Sequence, residues 1–306
     1  MKRAFLGLLI GVLSLILLPP LWYGIFPEEG ASLPPPGRRI PVEDGISVNS
    51  VEQGSGPPVV LVHGSPGSAY DWKPTQQALV EQGYRVLTYD RVGYGYSDAR
   101  PDEVYTVELS GRELLALLEH EALEEVTLVG WSYGGLTSMA AALEDPTRIA
   151  RLVLVGSAGW AEDPPTLPPG VEGAMNMVLP WLAQVPPAER SLQTAFSQQA
   201  FAPSPVPDWW LPQLEANFHR PGTQAAWLGE QATFQWAGPD PAPIERPILV
   251  IHGRQDTLVP VAVGEWLHER SGDSRLRVIE QGGHMLPITH ADALAKEIAT
   301  FIEAQP

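Results

Sequence analysis

Short apolar runs separated by longer mixed stretches set the pattern of the chain. Ile46–Glu52, Val59–Val62, Arg85–Tyr89, Val126–Val129, Leu152–Val155, Ile248–Ile251 and Leu276–Ile279 are each bounded by turn formers, which predicts strands. Several are apolar on both faces, as parallel strands covered on both sides are. Between them, helical spacing of apolar residues predicts helices over Asp71–Gln82, Tyr105–His120, Tyr133–Glu144, Val261–Ser271 and His290–Glu303. Such alternation describes an α/β fold with a mostly parallel sheet and helices on both sides.

One long stretch interrupts the alternation. From residue 159 to 243 there is no clear strand, prolines recur, and six tryptophans occur: Trp160, Trp181, Trp209, Trp210, Trp227 and Trp236. A helical cap inserted between the fourth and fifth parallel strands would lie over the carboxyl ends of the sheet and act as a lid. Taken one at a time these tryptophans read as packing residues, and some of them together as the lining of an apolar pocket.

The amino terminus has a pattern of its own. Lys2 and Arg3 precede an apolar run from Ala4 to Leu18, and after Pro19-Pro20 it resumes over Leu21–Phe26. No small-x-small cleavage site precedes Glu28-Glu29, and Ala4 to Phe26 is long enough to cross a bilayer with Trp22 and Tyr23 at the far interface. Residues 1–29 are therefore read as an uncleaved membrane anchor, with secretion after signal cleavage as the alternative. The positive flank places the rest of the protein on the outer, periplasmic or extracellular, side. Residues 30–39 read as a Pro-stiffened linker, 40–158 and 244–306 as the catalytic domain, and 159–243 as the cap.

Composition narrows the chemistry. The 306 residues are 44% hydrophobic and 18% charged, enough to bury a large core. A formal charge of −17 argues against nucleic acid as a partner. Cysteine is absent, which excludes disulfides, thiol nucleophiles and thiolate metal sites.

The stretch Val126–Pro146, VTLVGWSYGGLTSMAAALEDP, reads as strand, sharp turn and helix around Gly130-Trp131-Ser132-Tyr133-Gly134. This is the G-x-S-x-G nucleophile elbow in its proper context. A serine hydroxyl needs a base, and the base needs an acid that holds its tautomer. His284, in Gly282-Gly283-His284-Met285, follows the last strand and is the candidate base. Asp256, in His252-Gly253-Arg254-Gln255-Asp256, follows the strand before it and is the candidate acid. His63 and His252 each end a strand before a glycine, where bonding to loop backbone is the expected role. Two backbone N–H groups are candidates for an oxyanion hole, that of Tyr133 beside the nucleophile and that of Ser65 in His63-Gly64-Ser65-Pro66-Gly67. Asp90–Ser97 (DRVGYGYS) lacks the lysine and glycine spacing of a phosphate loop and reads as a structural turn, with Asp90 tying down backbone or Arg91.

From about Ile40 onward the chain resembles the α/β-hydrolase-fold enzymes, on the segments HGSPG at 63, DRVGYGYS at 90, GWSYGG at 130, HGRQDTLVP at 252 and GGHMLPI at 282. It is similar to their capped branch, which includes carboxylesterases, lipases, proline iminopeptidases, epoxide hydrolases, dehalogenases and carbon–carbon bond hydrolases. The resemblance implies an eight-stranded sheet, no cofactor or metal, and the triad and oxyanion positions named above. Epoxide hydrolases and dehalogenases of this branch use an aspartate nucleophile, so Ser132 argues against both. Trp131 stands where simple esterases commonly have histidine, either shaping the acyl pocket or packing under the lid.

The expected activity is hydrolysis of small to medium apolar esters by Ser132, His284 and Asp256 through an acyl-enzyme. Amide, peptide, lactone and carbon–carbon hydrolysis use the same constellation and remain open, as does a non-catalytic ligand-binding role on the same scaffold. The expected partner is a small ester-like molecule, with the membrane contacted only through the N-terminal segment.

Overall fold

Eight strands form one sheet in the computed structural model, which describes residues 37–43, 45–100, 104–159, 186–233 and 238–304. In chain order they are β1 (Arg38–Pro41), β2 (Ser47–Gln53), β3 (Pro58–Val62), β4 (Arg85–Tyr89), β5 (Val126–Trp131), β6 (Ile149–Val155), β7 (Ile248–Gly253) and β8 (Ser274–Ile279). Their spatial order is β1-β2-β4-β3-β5-β6-β7-β8. β2 pairs antiparallel with β1 and β4, and every other pairing is parallel.

The residues explain this arrangement. β5 (VTLVGW) and β7 (ILVIHG) are buried along their whole length, as continuous apolar strands sandwiched by helices must be. In β3, Val60 and Val62 join one apolar cluster while Val59 and Leu61 join another, so the strand serves a core on each side of the sheet. The first core is closed by α2 (Val107–His120), α3 (Tyr133–Glu144) and α7 (Val261–Arg270), through Leu117, Met139 and Leu267. The second is closed by α1 (Lys73–Glu81) and α9 (Ala291–Glu303), through Leu79 and Ile298. The outermost strands differ: β1 exposes Arg38 and Arg39, and β8 exposes Arg275 and Arg277.

The chain leaves β3 to one side, for β4, and returns to its other side, for β5. The loops after β3 and β5 thus diverge at the switch point of the sheet, where such folds bind ligands. Three helices described between β6 and β7 lie over this end: α4 (Pro186–Phe201), α5 (Trp210–Phe218) and α6 (Thr223–Thr233). They reach loops of several strands. Asn217 donates to the Gly67 carbonyl at 3.0 Å, Glu230 pairs with Arg91, and the Ala200 carbonyl accepts from Met285 at 3.3 Å.

One expectation needs revision. The sheet begins at Arg38, one strand before the first expected at Ile46–Glu52, because β1 has a single inward apolar residue and its sequence does not stand out from the Pro-rich stretch before it. Three tryptophans of the insertion have described packing partners. Trp210 is buried against Phe201 and donates to Ser197 Oγ at 3.0 Å, Trp227 stacks edge-on with Phe218, and Trp209 is 39% exposed beside Tyr70. Trp160, Trp181 and Trp236 lie outside the described residues, as does the N-terminal apolar run. Among the described residues no helix is long and apolar enough to cross a membrane. A short α8 (Leu286–Thr289) joins the His284 loop to α9.

Gly134 sits where α3 meets β3, and a β-carbon there would overlap the Val62 carbonyl. Gly134→Ala is expected to cost about 1–3 kcal/mol of stability, measured as a lower denaturant midpoint at unchanged slope. Asp71 lies in the 3₁₀ turn Ala69–Trp72 that leads into α1. Its carboxylate accepts from Ser68 N–H at 2.9 Å, yet burial, helped by nearby Asp90 and opposed by that bond, pushes its pKa up to about 7. The folded state therefore holds this proton where the unfolded chain has released it, so the contribution is fully present below pH 4 and lost as pH rises through 7. Asp71→Asn is expected to gain stability relative to the parent between pH 5 and 8, read from paired unfolding curves at the two pH values.

Candidate active site

Ser132 occupies the turn between β5 and α3 with φ 54° and ψ −121°, a left-handed conformation for a residue with a β-carbon. Holding it there costs about 1–3 kcal/mol, which the surrounding contacts must offset. Its N–H donates to the Val155 carbonyl at 3.0 Å and its carbonyl accepts from Gly135 at 3.0 Å. The turn closes only because its neighbours are small. A β-carbon on Gly130 would lie 2.6 Å from Ser138 Oγ, and one on Gly64 would lie 3.0 Å from Ser132 Cβ. Ser132 is also the N-cap of α3, so the N–H of Tyr133 belongs to the first turn, whose donors have no intrahelical acceptor.

Asp256 and His284 meet from different loops. His284 Nδ1 lies 2.7 Å from Asp256 Oδ2, and both residues are buried. The other carboxylate oxygen of Asp256 accepts from the N–H groups of Leu258 and Val259 at 2.9 and 2.8 Å, which fixes its plane. With Nδ1 committed to Asp256 as a donor, Nε2 is the nitrogen left to take a proton. Two ties bring this pair to Ser132. Trp131, the residue before the serine, donates from Nε1 to the His284 carbonyl at 2.9 Å, its ring 5.4 Å from the imidazole. Gly156, next to the Val155 that holds Ser132, lies so close that a β-carbon there would be 3.4 Å from Asp256 Oδ2 and 3.6 Å from His284 Nδ1. Trp131 is buried, and its ring supports the His284 loop.

The loop after β3 is held from within. His63 is fully buried; burial, followed by the charge of Arg91, pushes its pKa well below the ordinary value. The neutral ring donates from Nδ1 to the Gly64 carbonyl at 2.7 Å and accepts the Arg91 backbone N–H on Nε2 at 2.9 Å. His252 likewise bonds the Val259 carbonyl from Nε2 at 2.8 Å, with burial lowering its pKa. Both histidines thus take the loop-backbone role expected of them. Asp90 collects the N–H groups of Ala69 and Tyr96 and the side chain of Asn49, and Arg91 has other partners. The Arg91 guanidinium donates to the carbonyls of His63 (3.2 Å) and Gly64 (3.0 Å) and pairs with Glu230 of α6. Burial works against this cation, and Glu230 together with Tyr94 and Tyr133 more than offsets it, leaving the pKa raised.

The structure brings Ser132, Asp256, His284, Trp131 and Tyr133 to one end of the sheet, with Gly64 against Ser132. A separate cleft of about 400 Å³ lies towards β2 and is lined by Asn49, Lys73, Asp90, Tyr96 and Arg220 among others, but by no triad candidate. Among the described residues no cluster of side chains could hold a metal ion. What the sequence did not reveal is Glu230, whose partner Arg91 is 139 residues away, and the bond from Trp131 to a backbone carbonyl. Neither contact has a local signature.

The family model for the alpha/beta hydrolase fold matches residues 57–291. The 2-hydroxymuconate semialdehyde hydrolase of Pseudomonas sp. (strain CF600) is 28% identical over 275 residues, covering 87% of this chain and 93% of the relative. Among solved structures, an esterase from Exiguobacterium antarcticum superposes with a TM-score of 0.74 at 25% identity, covering 87% of this chain and 99% of that one. A meta-cleavage product hydrolase from Pseudomonas fluorescens IP01 superposes with a TM-score of 0.67 at 26% identity, over 88% and 98%. The family match extends from the strand before the Ser65 loop to beyond His284. The chain is a hydrolase and belongs to the alpha/beta hydrolase fold family.

Proposed function

We propose that this protein is a serine hydrolase that cleaves carboxylic esters of small to medium apolar acids through an acyl-enzyme. The observation that carries the reading is Ser132 in its left-handed turn, tied through Trp131 to a histidine already paired with a carboxylate. Ser132 Oγ attacks the ester carbonyl and its proton passes to His284 Nε2. Asp256 holds the ring and steadies the imidazolium. The carbonyl oxygen becomes an oxyanion facing the N–H groups of Ser65 and Tyr133. As the carbon–oxygen bond breaks, His284 returns the proton to the departing alcohol. Water, activated by the same imidazole, then releases the acid.

Carbon–carbon bond hydrolysis is the second reading, favoured by the similarity to 2-hydroxymuconate semialdehyde hydrolase. The three helices between β6 and β7 are read as a cap over either substrate. For the N-terminal run Ala4–Phe26 we propose an anchor in a cytoplasmic membrane with the catalytic domain outside, supported by its length and its Lys2-Arg3 flank. A mature N-terminus near residue 30 by mass spectrometry would overturn that placement.

Hydrolysis of p-nitrophenyl esters from acetate to dodecanoate is expected to show a short to medium chain optimum, and Ser132→Ala to lower kcat about a thousandfold or more. Turnover of 2-hydroxymuconate semialdehyde with no ester above the Ser132→Ala blank would favour the second reading. Absence of both would leave a binding role. Trp131→Phe keeps the ring and removes the N–H. It is expected to cost about 1 kcal/mol of stability and to lower kcat about three- to tenfold, measured by thermal unfolding and steady-state kinetics.

A further inference from the structure

The DRVGYGYS turn has an arginine whose reach exceeds what a turn requires. Arg91 is 1% exposed, and Glu230, on α6 of the inserted helices, is fully buried. From this one side chain the structure draws four elements together. Nε donates to the His63 carbonyl at 3.2 Å and Nη2 to the Gly64 carbonyl at 3.0 Å, the two peptide oxygens that precede Ser65. The same guanidinium pairs with Glu230 and lies 4.6 Å above the ring of Tyr133 and 4.8 Å above that of Tyr94. Tyr94 completes the circuit. Its hydroxyl donates to Glu230 Oε2 at 2.6 Å and meets Ser65 Oγ at 3.2 Å.

The energetics of burial make this an unusual choice. Removing two charges from water is expensive, and an apolar pair of similar volume would often serve stability as well or better. What an apolar pair cannot do is grip two carbonyls and a hydroxyl in fixed directions. The peptide planes set by His63 O and Gly64 O determine the direction of the N–H groups that follow them, including that of Ser65.

We infer that Arg91 and Glu230 form a positioning clamp: Glu230, carried in by the inserted helices, holds Arg91 on the His63 and Gly64 carbonyls and thereby aims the Ser65 N–H at the oxyanion. Seating of the insertion and completion of the oxyanion hole are then one event. Neither side chain touches the reacting atoms, and both act through the loop. The inference rests on the serine-hydrolase reading for its catalytic consequence, and on geometry alone for its structural one.

The test uses the full chain and three variants: Glu230→Gln, Arg91→Lys, and the double variant Arg91→Met/Glu230→Leu, which keeps volume without charge. With the optimal p-nitrophenyl ester, each is expected to lower kcat about ten- to a hundredfold while KM stays within about twofold, since the donor acts on charge that develops in the transition state. Phenylboronic acid, which forms a tetrahedral anion on the serine, is expected to bind more weakly by the same factor. Amide hydrogen exchange in the segment 63–68 is expected to quicken in all three. Parental kcat in a folded double variant, or a loss that falls on KM, would overturn the clamp. Unchanged exchange at 63–68 would overturn it whether or not the parent hydrolyses esters. If the parent shows no Ser132-dependent turnover, the serine-hydrolase reading fails by itself and the exchange result still decides the clamp.

Discussion

The structure depends on one sharp reversal of the backbone. Between β5 and α3 the chain turns through a left-handed residue that is not glycine, and everything around it is cut to fit. The glycines at 64, 130 and 134 bring strand, loop and helix closer than side chains would permit. The continuous apolar strands on either side supply the packing that offsets the strain. A turn of this kind cannot relax without unseating α3 from the sheet. Ser132 is therefore tied to the core beneath it, although it stands at the end of a strand.

Around this fixed point the remaining groups are secured by backbone contacts. Asp256 is oriented by two N–H groups of its own loop, His284 by the indole of Trp131 on its carbonyl, and the Ser65 loop by Arg91 on two carbonyls. Side chains that hold peptide groups transmit position, because a peptide plane has few ways to move. The three loops come from different strands; that of Asp256 is fixed from within, and those of His284 and Ser65 are pinned by residues belonging to other segments. Pre-organisation of this sort suits a reaction whose charge appears only in the transition state.

Much of this was legible in the residues. Ser132, Asp256 and His284 each follow an apolar strand, so their arrival at one end of the sheet follows from the pattern alone. His63 and His252 precede glycines, and their loop-backbone role could be read from that. β1 escaped because RRIP has one buried residue and no alternation to detect. Glu230 escaped for a different reason: in GEQAT it reads as a solvated helix acid, and only the fold brings Arg91 to it. Trp131 was visible as a residue but not as a donor, since the acceptor is a peptide carbonyl that any sequence would offer. The tryptophans at 209, 210 and 227 signalled an aromatic insertion, and their packing partners lie within the insertion or at its rim.

The arginines of the outer strands have a consequence for how copies of this protein meet. An open sheet offers unpaired peptide groups along both margins, a template on which another strand could be added. In a chain of net charge −17, cations are scarce, yet four of the 19 stand on these margins. Arg38 and Arg39 are braced by Glu121 and Asp98, and Arg277 by Glu297. Two molecules approaching margin to margin would bring like charges together and would have to break these braces before any peptide could pair. The sheet thus carries cations at both rims, which opposes stacking into extended β-assemblies.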